Sequence, residues 1–337
     1  MMYLRPTDSV CAKIRNLGFI GALLVVFIHV APYHSGTAFI SFLQCIFAAA
    51  AVPFFFLVSG YWLGLRAKEP CSYRRAVLKR LRTLGIPFLF WSVFMVVLVR
   101  IVVFASKKTV SLDGVFSQLG FNLWVQPLNH PLWYVRMLFL LVLASPLIAF
   151  VLRLRLRRVF LTALFFAYWL LSPDTGLVKW SDEWFWFVNF GFSLEGLVYF
   201  SIGFALPMMS GDAVRLPPAW VCVFVCIAGW LLEYNLPRYG FIGVAKLIIP
   251  WSLLWMWMVV PTTGFGHLPE LSFPLYVLHV PVLFVCDLTL KMADLRCENE
   301  IVDTIFRWVL VVFSTCGLIV VFRRSFPRFS TWTFGGR

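Results

Sequence analysis

The sequence predicts an all-α, polytopic integral membrane protein that crosses the bilayer about ten times with both ends in the cytoplasm. Three observations predict it. Of 337 residues, 61% are apolar, 18% aromatic and only 13% charged, too little polar surface to coat a water-soluble core. Apolar stretches of about 17 to 25 residues, each long enough to span the hydrocarbon, follow one another from end to end. Lys and Arg gather in alternate connecting segments, as cytoplasmic loops require.

Taken in order, the N-terminal segment carries Arg5, Lys13 and Arg15 and leads into a first span at 17–33. Basic and then apolar, it looks like a signal peptide, but no small-x-small cleavage site follows, so it is expected to stay as a signal anchor. The second span, 38–64, ends at a basic loop, 66–82, assigned to the cytoplasm. The third, 83–105, leads to an outside loop with Lys107 and Lys108. The fourth, 131–152, returns to an inside loop at 153–158 with four arginines. The fifth, 159–173, is short for a full crossing. The sixth, 184–206, follows an outside loop holding Lys179. The seventh, 217–233, is also short and follows Arg215 on the inside. The eighth, 240–260, follows Arg238 outside. The ninth, 268–290, is separated from the tenth, 302–322, by an outside loop with Lys291 and Arg296. The tail after 322 is basic again. Of 29 basic residues, 19 fall inside and six outside, and Arg100, Arg136, Lys246 and Arg307 lie within or near spans. An odd number of crossings would invert half of this topology.

Nothing marks a separate soluble domain, so residues 1–337 read as one transmembrane domain. The net charge of +14 does not point to nucleic acid, because the basic residues sit beside spans and no soluble fold presents them. Topology and contact with anionic head groups explain them. The loop 66–82 is denser than topology needs, with Arg66, Lys68, Arg74, Arg75, Lys79, Arg80 and Arg82 against Glu69 alone. It reads either as an anchor or as a site for an anionic ligand as well. The eight cysteines are scattered without metal-ligand spacing, and Cys222 with Cys226 on one helix face reads as apolar packing, so no metal site is expected.

Function in such a chain rests on polar groups inside the membrane, where ionisable residues are costly and face a cavity or a partner. Five stand out: His29, Arg136, Glu195, Lys246 and His279. Arg136 and Lys246 lie close enough to a span end for snorkelling to rival a function. Arg136 and Glu195 either orient an acceptor or pair with one another. Ser272, Tyr276 and His279, at i, i+4 and i+7, share one helix face and could line one pore.

Six blocks in order carry a family resemblance. The first span runs from Ile14-Arg15-Asn16 to Val25-Val26-Phe27-Ile28-His29. It is followed by Val52-Pro53-Phe54-Phe55-Phe56-Leu57-Val58-Ser59-Gly60-Tyr61 and Lys79-Arg80-Leu81-Arg82-Thr83-Leu84-Gly85-Ile86-Pro87-Phe88. Next come Pro131-Leu132-Trp133-Tyr134-Val135-Arg136, Tyr199-Phe200-Ser201-Ile202-Gly203-Phe204 and Ser272-Phe273-Pro274-Leu275-Tyr276-Val277-Leu278-His279. Together they resemble the acyltransferase 3 family of membrane O-acyltransferases. The resemblance implies transfer of an acyl group, usually acetyl from acetyl-CoA, to a hydroxyl of a cell-envelope glycan or its lipid-linked precursor. It implies a multi-pass protein of a bacterial-type cytoplasmic membrane, with acyl-CoA as a donor substrate and no tightly bound cofactor.

On that reading His29 is the general base, taking the proton of an alcohol that is otherwise a poor nucleophile. His279 and Arg15 join it as catalytic candidates. Arg80 and Arg82, with Arg74 and Arg75, are the candidates to hold the donor's phosphates by charge-assisted hydrogen bonds. Arg136, Glu195, Tyr276 and Ser59 are the acceptor-side candidates, although Ser59 reads as well as a close-packing residue; no Gly-x-Ser-x-Gly elbow supports a serine nucleophile. Fourteen residues separate Arg15 from His29, roughly 21 Å of helix, so a donor arm reaching His29 from the cytoplasm has to thread inward. The sequence also departs from the family, which commonly has an acidic residue fourteen positions before the histidine and an arginine eleven before it. Here those positions hold Arg15 and Gly18. Either Arg15 replaces the missing arginine or activity has been lost. A transporter or flippase of a glycan or lipid, or an inactive partner subunit, are the alternative readings.

Overall fold

A computed structural model describes residues 7–31, 37–107, 120, 123, 128–154, 157–171, 193–208, 217–235, 244–295 and 297–335. Every regular element among them is helical. We number the α-helices α1 (Asp8–Val30), α2 (Ala38–Leu43), α3 (Ala49–Arg66), α4 (Pro70–Lys107), α5 (Leu132–Arg153), α6 (Arg157–Leu170), α7 (Leu194–Ala205), α8 (Ala219–Asn235), α9 (Val244–Val259), α10 (Ser272–Met292), α11 (Glu300–Ser325) and α12 (Pro327–Thr333). A π-turn at Gln44–Ala48 joins α2 to α3 in one rod.

Each of the ten predicted stretches overlaps a helix, although parts of the first, fifth, sixth and eighth (32–33, 172–173, 184–192 and 240–243) lie outside the described residues. Among the described residues six helices are long and apolar enough to cross a membrane: α1, the α2–α3 rod, α4, α5, α10 and α11. Helices α7, α8 and α9 are apolar but shorter. The chain is thus an all-α, multi-pass membrane protein. Its outward faces agree, with Phe313, Phe224 and Leu147 each about two-thirds exposed or more (73%, 67% and 66%), which only a lipid solvent makes inexpensive.

Two boundaries differ from the sequence expectation, for the same reason. α1 begins at Asp8, nine residues before the predicted span, because Thr7 caps it by accepting from the Val10 amide at 3.3 Å and Asp8 sits favourably in the first turn. The expected loop 66–82 is helix from Pro70 onward. Proline is tolerated in a first turn, where its missing N–H is no loss, and Glu69 closes the tight turn onto the Arg66 carbonyl at 3.1 Å. α4 therefore reaches ~57 Å, far longer than the hydrocarbon is thick. Helices do not stop where the apolar text stops.

α1 is the central element and packs against α3, α9, α10 and α11. α3 and α7 meet backbone to backbone. A Cβ on Gly60 lies 2.1 Å from the Phe200 carbonyl, one on Gly64 lies 2.3 Å from that of Phe204, and one on Gly203 lies 1.9 Å from that of Leu57. Gly60 and Gly64 form the Gly-x-x-x-Gly spacing that lets helices approach closely in lipid. Close packing in the Ser59-Gly60 block thus belongs to the glycine, which leaves the serine to face elsewhere. At the far end of the chain α12 folds back on α4, where Trp91 donates to the Thr333 carbonyl at 3.0 Å and stacks on Phe334.

Candidate active site

A cavity of about 490 Å³ opens among the first turns of α1, the last turns of α3, the first half of α4 and the start of α10. Four cations line it: Arg15 from α1, Arg66 from α3, and Lys79 and Arg80 from α4. Deeper in, the wall is Gly18, Phe54, Phe55, Ser59, Tyr134, Ser272 and Tyr276. Gly335, beyond α12, closes one side at φ +69°, a conformation that favours glycine, and a Cβ there would lie 2.4 Å from the Thr83 carbonyl. The cavity is therefore a basic mouth on an aromatic throat.

Helix periodicity explains which cations enter it. On α4 the lining positions are 76, 79, 80, 83 and 84, one stripe of the helix. Arg82 lies about 200° around the helix from Arg80 and is exposed outside the cavity, as are Arg74 and Arg75. Of the four predicted donor-site arginines the structure brings only Arg80 to the cavity. It adds Arg66 and Lys79, which the sequence showed within a basic cluster but did not single out. On α1, positions 15 and 18 both line the cavity, as their shared stripe predicts.

The two histidines sit beyond the throat. His29, in the last turn of α1, and His279, two turns into α10, have ring centroids 5.2 Å apart. Neither lines the cavity, so of the face expected to line one pore Ser272 and Tyr276 do and His279 does not. The connection is Tyr276, whose ring lies 6.2 Å from His279 and 5.4 Å from Tyr134 and whose other side faces the cavity. His279 is fully buried, and its Nδ1 lies 3.2 Å from the Leu275 carbonyl. A carbonyl only accepts, so Nδ1 donates, and in the neutral ring Nε2 carries a lone pair. Nε2 has no hydrogen-bond partner among the described atoms, leaving a buried acceptor next to His29.

A third histidine was missed. His130 lies exposed in the turn before α5. Two bonds tie its turn to the His279 helix: Asn129 donates to the Val277 carbonyl at 3.0 Å, and the Tyr276 hydroxyl donates to the Pro131 carbonyl. The partners are about 145 positions apart in the chain, and no local pattern announces them. Asn16, also missed, is buried and donates to the Pro261 carbonyl at 2.8 Å, tying α1 to the segment after α9.

The remaining candidates lie elsewhere. Arg136 is buried on α5 and donates to the Leu123 carbonyl at 3.1 Å, and Glu195, in the first turn of α7, accepts from the Tyr168 hydroxyl at 2.7 Å. Neither lines the cavity. The side chain of Lys246 lies outside the described residues.

A family model described as an acyltransferase domain, acyltransferase 3, matches residues 14–324. The chain belongs to this acyltransferase family. The match runs from the cavity stripe of α1 almost to the end of α11, so the basic mouth, the throat and the two paired histidines lie inside it. The acyltransferase is also similar to the succinoglycan biosynthesis protein ExoH of Rhizobium meliloti (strain 1021), at 26% identity over 305 residues, covering 82% of this chain and 79% of that protein. No solved structure matches it.

Proposed function

We propose that this acyltransferase moves an acyl group, acetyl in the first instance, from acyl-CoA in the cytoplasm to a hydroxyl of a cell-surface polysaccharide or its lipid-linked precursor, with His29 as general base. The observation that carries the proposal is the alignment of a four-cation mouth, an aromatic throat and an adjacent histidine pair, His29 on α1 and His279 on α10. The donor is a long, thin molecule with phosphates at one end and a thioester at the other. Arg15, Arg66, Lys79 and Arg80 suit the phosphates, and the throat suits the arm. The relative's role in succinoglycan biosynthesis supports a polysaccharide acceptor.

In this reading His29 takes the acceptor's hydroxyl proton as the oxygen attacks the thioester carbonyl. The new C–O bond forms, the C–S bond breaks, and the CoA sulfur leaves as thiolate and is protonated. His279, its Nδ1 committed to Leu275, holds the second imidazole against the first and can share the proton. The mouth lies at the end where α1 begins, the cytoplasmic side by charge placement, and His29 lies at the opposite end, so donor and acceptor approach from opposite faces of what we take to be a bacterial inner membrane. The test is incubation of the purified protein with acetyl-labelled acetyl-CoA and candidate glycans. Transfer of label to glycan is expected. Glycan or lipid movement without transfer would identify a transporter instead, and absence of both would identify an inactive partner.

A further inference from the structure

The histidine pair is held by a device on α11. Arg307 lies in the second turn of that helix with its side chain 12% exposed. Its Nε and Nη2 donate to the two carboxylate oxygens of Asp287 at 3.0 and 2.8 Å, a two-pronged pair. Its Nη1 lies 3.7 Å from Asp303 Oδ2 and donates to the Val30 carbonyl at 3.4 Å. Val30 ends α1 and follows His29 directly. Its carbonyl is one of those left without a partner at a helix C-terminus, where a cation also complements the helix dipole. Asp287 stands on α10 eight residues past His279. The next residue, Trp308, donates from Nε1 to the Leu23 carbonyl at 3.0 Å and packs edge-on against Phe27 at 6.1 Å. α11 thus grips α1 at carbonyls 23 and 30, with His29 between them, and grips α10 at Asp287.

We propose that Arg307 is a positioning residue that sets the separation and orientation of His29 and His279 by clamping the ends of their two helices together. A partly buried ion pair is by itself weak support for stability, because desolvation offsets much of the attraction, and its better-attested use is to fix one arrangement among several. The arrangement fixed here is that of α1 against α10, and the only imidazoles on those two helices are the pair at issue. The catalytic consequence rests on His29 acting as the base; the positioning itself does not.

The test uses full-length protein with ring-labelled histidine, in wild-type form and as Arg307→Lys and Arg307→Leu. Lysine keeps the charge and loses the fork, so it serves if leucine prevents insertion. The NMR signals of the His29 and His279 rings are expected to shift in both variants while that of exposed His267 stays. kcat should fall about ten- to a hundredfold, the scale on which a misplaced catalytic group loses rate, with the donor KM within about twofold of wild type. Unchanged ring signals in a folded variant overturn the proposal. Shifted signals with wild-type kcat overturn its catalytic half. Wild-type protein without transfer to any acceptor refutes the function proposed above, and the ring signals then decide the clamp alone.

Discussion

The clearest perturbation concerns the α1 side of the cavity. Arg15 and Gly18 both line the cavity, on the stripe of α1 that leads toward His29. If Arg15 supplies a phosphate contact, Arg15→Ala removes one of four cations and one charge-assisted hydrogen bond, worth about 1.5–3 kcal/mol. At about 1.4 kcal/mol per tenfold, kcat/KM for the donor falls roughly ten- to a hundredfold, nearly all of it in KM. The second change restores the cation one turn on. A Cβ on Gly18 meets only the Ser272 hydroxyl, at 3.9 Å, so Gly18→Arg enters the cavity without displacing backbone. Arg15→Ala with Gly18→Arg should therefore recover part of the loss. The assay is initial rate against acetyl-CoA concentration at saturating acceptor. Unchanged kcat/KM in Arg15→Ala, in a protein that is active otherwise, would remove Arg15 from the donor site.

Three further outcomes follow from the same geometry. His29→Ala should abolish transfer while leaving membrane insertion and abundance near wild type, since the ring contributes chemistry more than packing; turnover at the wild-type rate would exclude it as the base. Gly203→Ala places a methyl 1.9 Å from the Leu57 carbonyl and should cost at least about 3 kcal/mol, read as loss of folded protein in a thermal melt in detergent, whereas Gly317→Ala, with nothing within 4 Å, should be neutral or mildly stabilising. Cys71 and Cys297 are both exposed free thiols. An impermeant thiol reagent on intact cells should label Cys297 and spare Cys71, and the reverse pattern would invert the proposed orientation.

Composition and run length located the helices because lipid demands both apolar side chains and internally satisfied backbone, so the signal is local. The stripe on α1 was legible for the same reason: positions 15 and 18 are related by helix geometry alone. What failed was the assumption that basic text is loop text. Pro70 starts a helix within it, and from then on each residue turns by about 100°, which separates Arg80 from Arg82. The Gly60-x-x-x-Gly64 spacing stood in the sequence, but the partner that explains it, Gly203, is 139 positions away from the nearer glycine. His130 and the Arg307 clamp were illegible in a stricter sense. Their meaning lies in contacts across 148 and 277 positions, which no window along one chain contains.

The gap between the cavity and the histidines gives the last prediction. Tyr276 stands in it, buried, its ring against Phe55, Tyr134 and His279 and its hydroxyl on the Pro131 carbonyl. On the proposed path, a thioester entering from the basic mouth meets this ring before it meets His29. The two parts of the side chain can be separated. Tyr276→Phe keeps the wall and loses a hydrogen bond worth about 1 kcal/mol, loosening the turn that carries His130, so kcat should fall severalfold with the donor KM unchanged. Tyr276→Ala removes the wall and joins the cavity to the paired imidazoles, admitting water to the place proposed for the acceptor hydroxyl. Release of free CoA in the absence of acceptor should then rise above the wild-type rate while transfer to glycan falls. A folded Tyr276→Ala protein that hydrolyses donor no faster than wild type would show that the cavity and the histidine pair are not consecutive parts of one path.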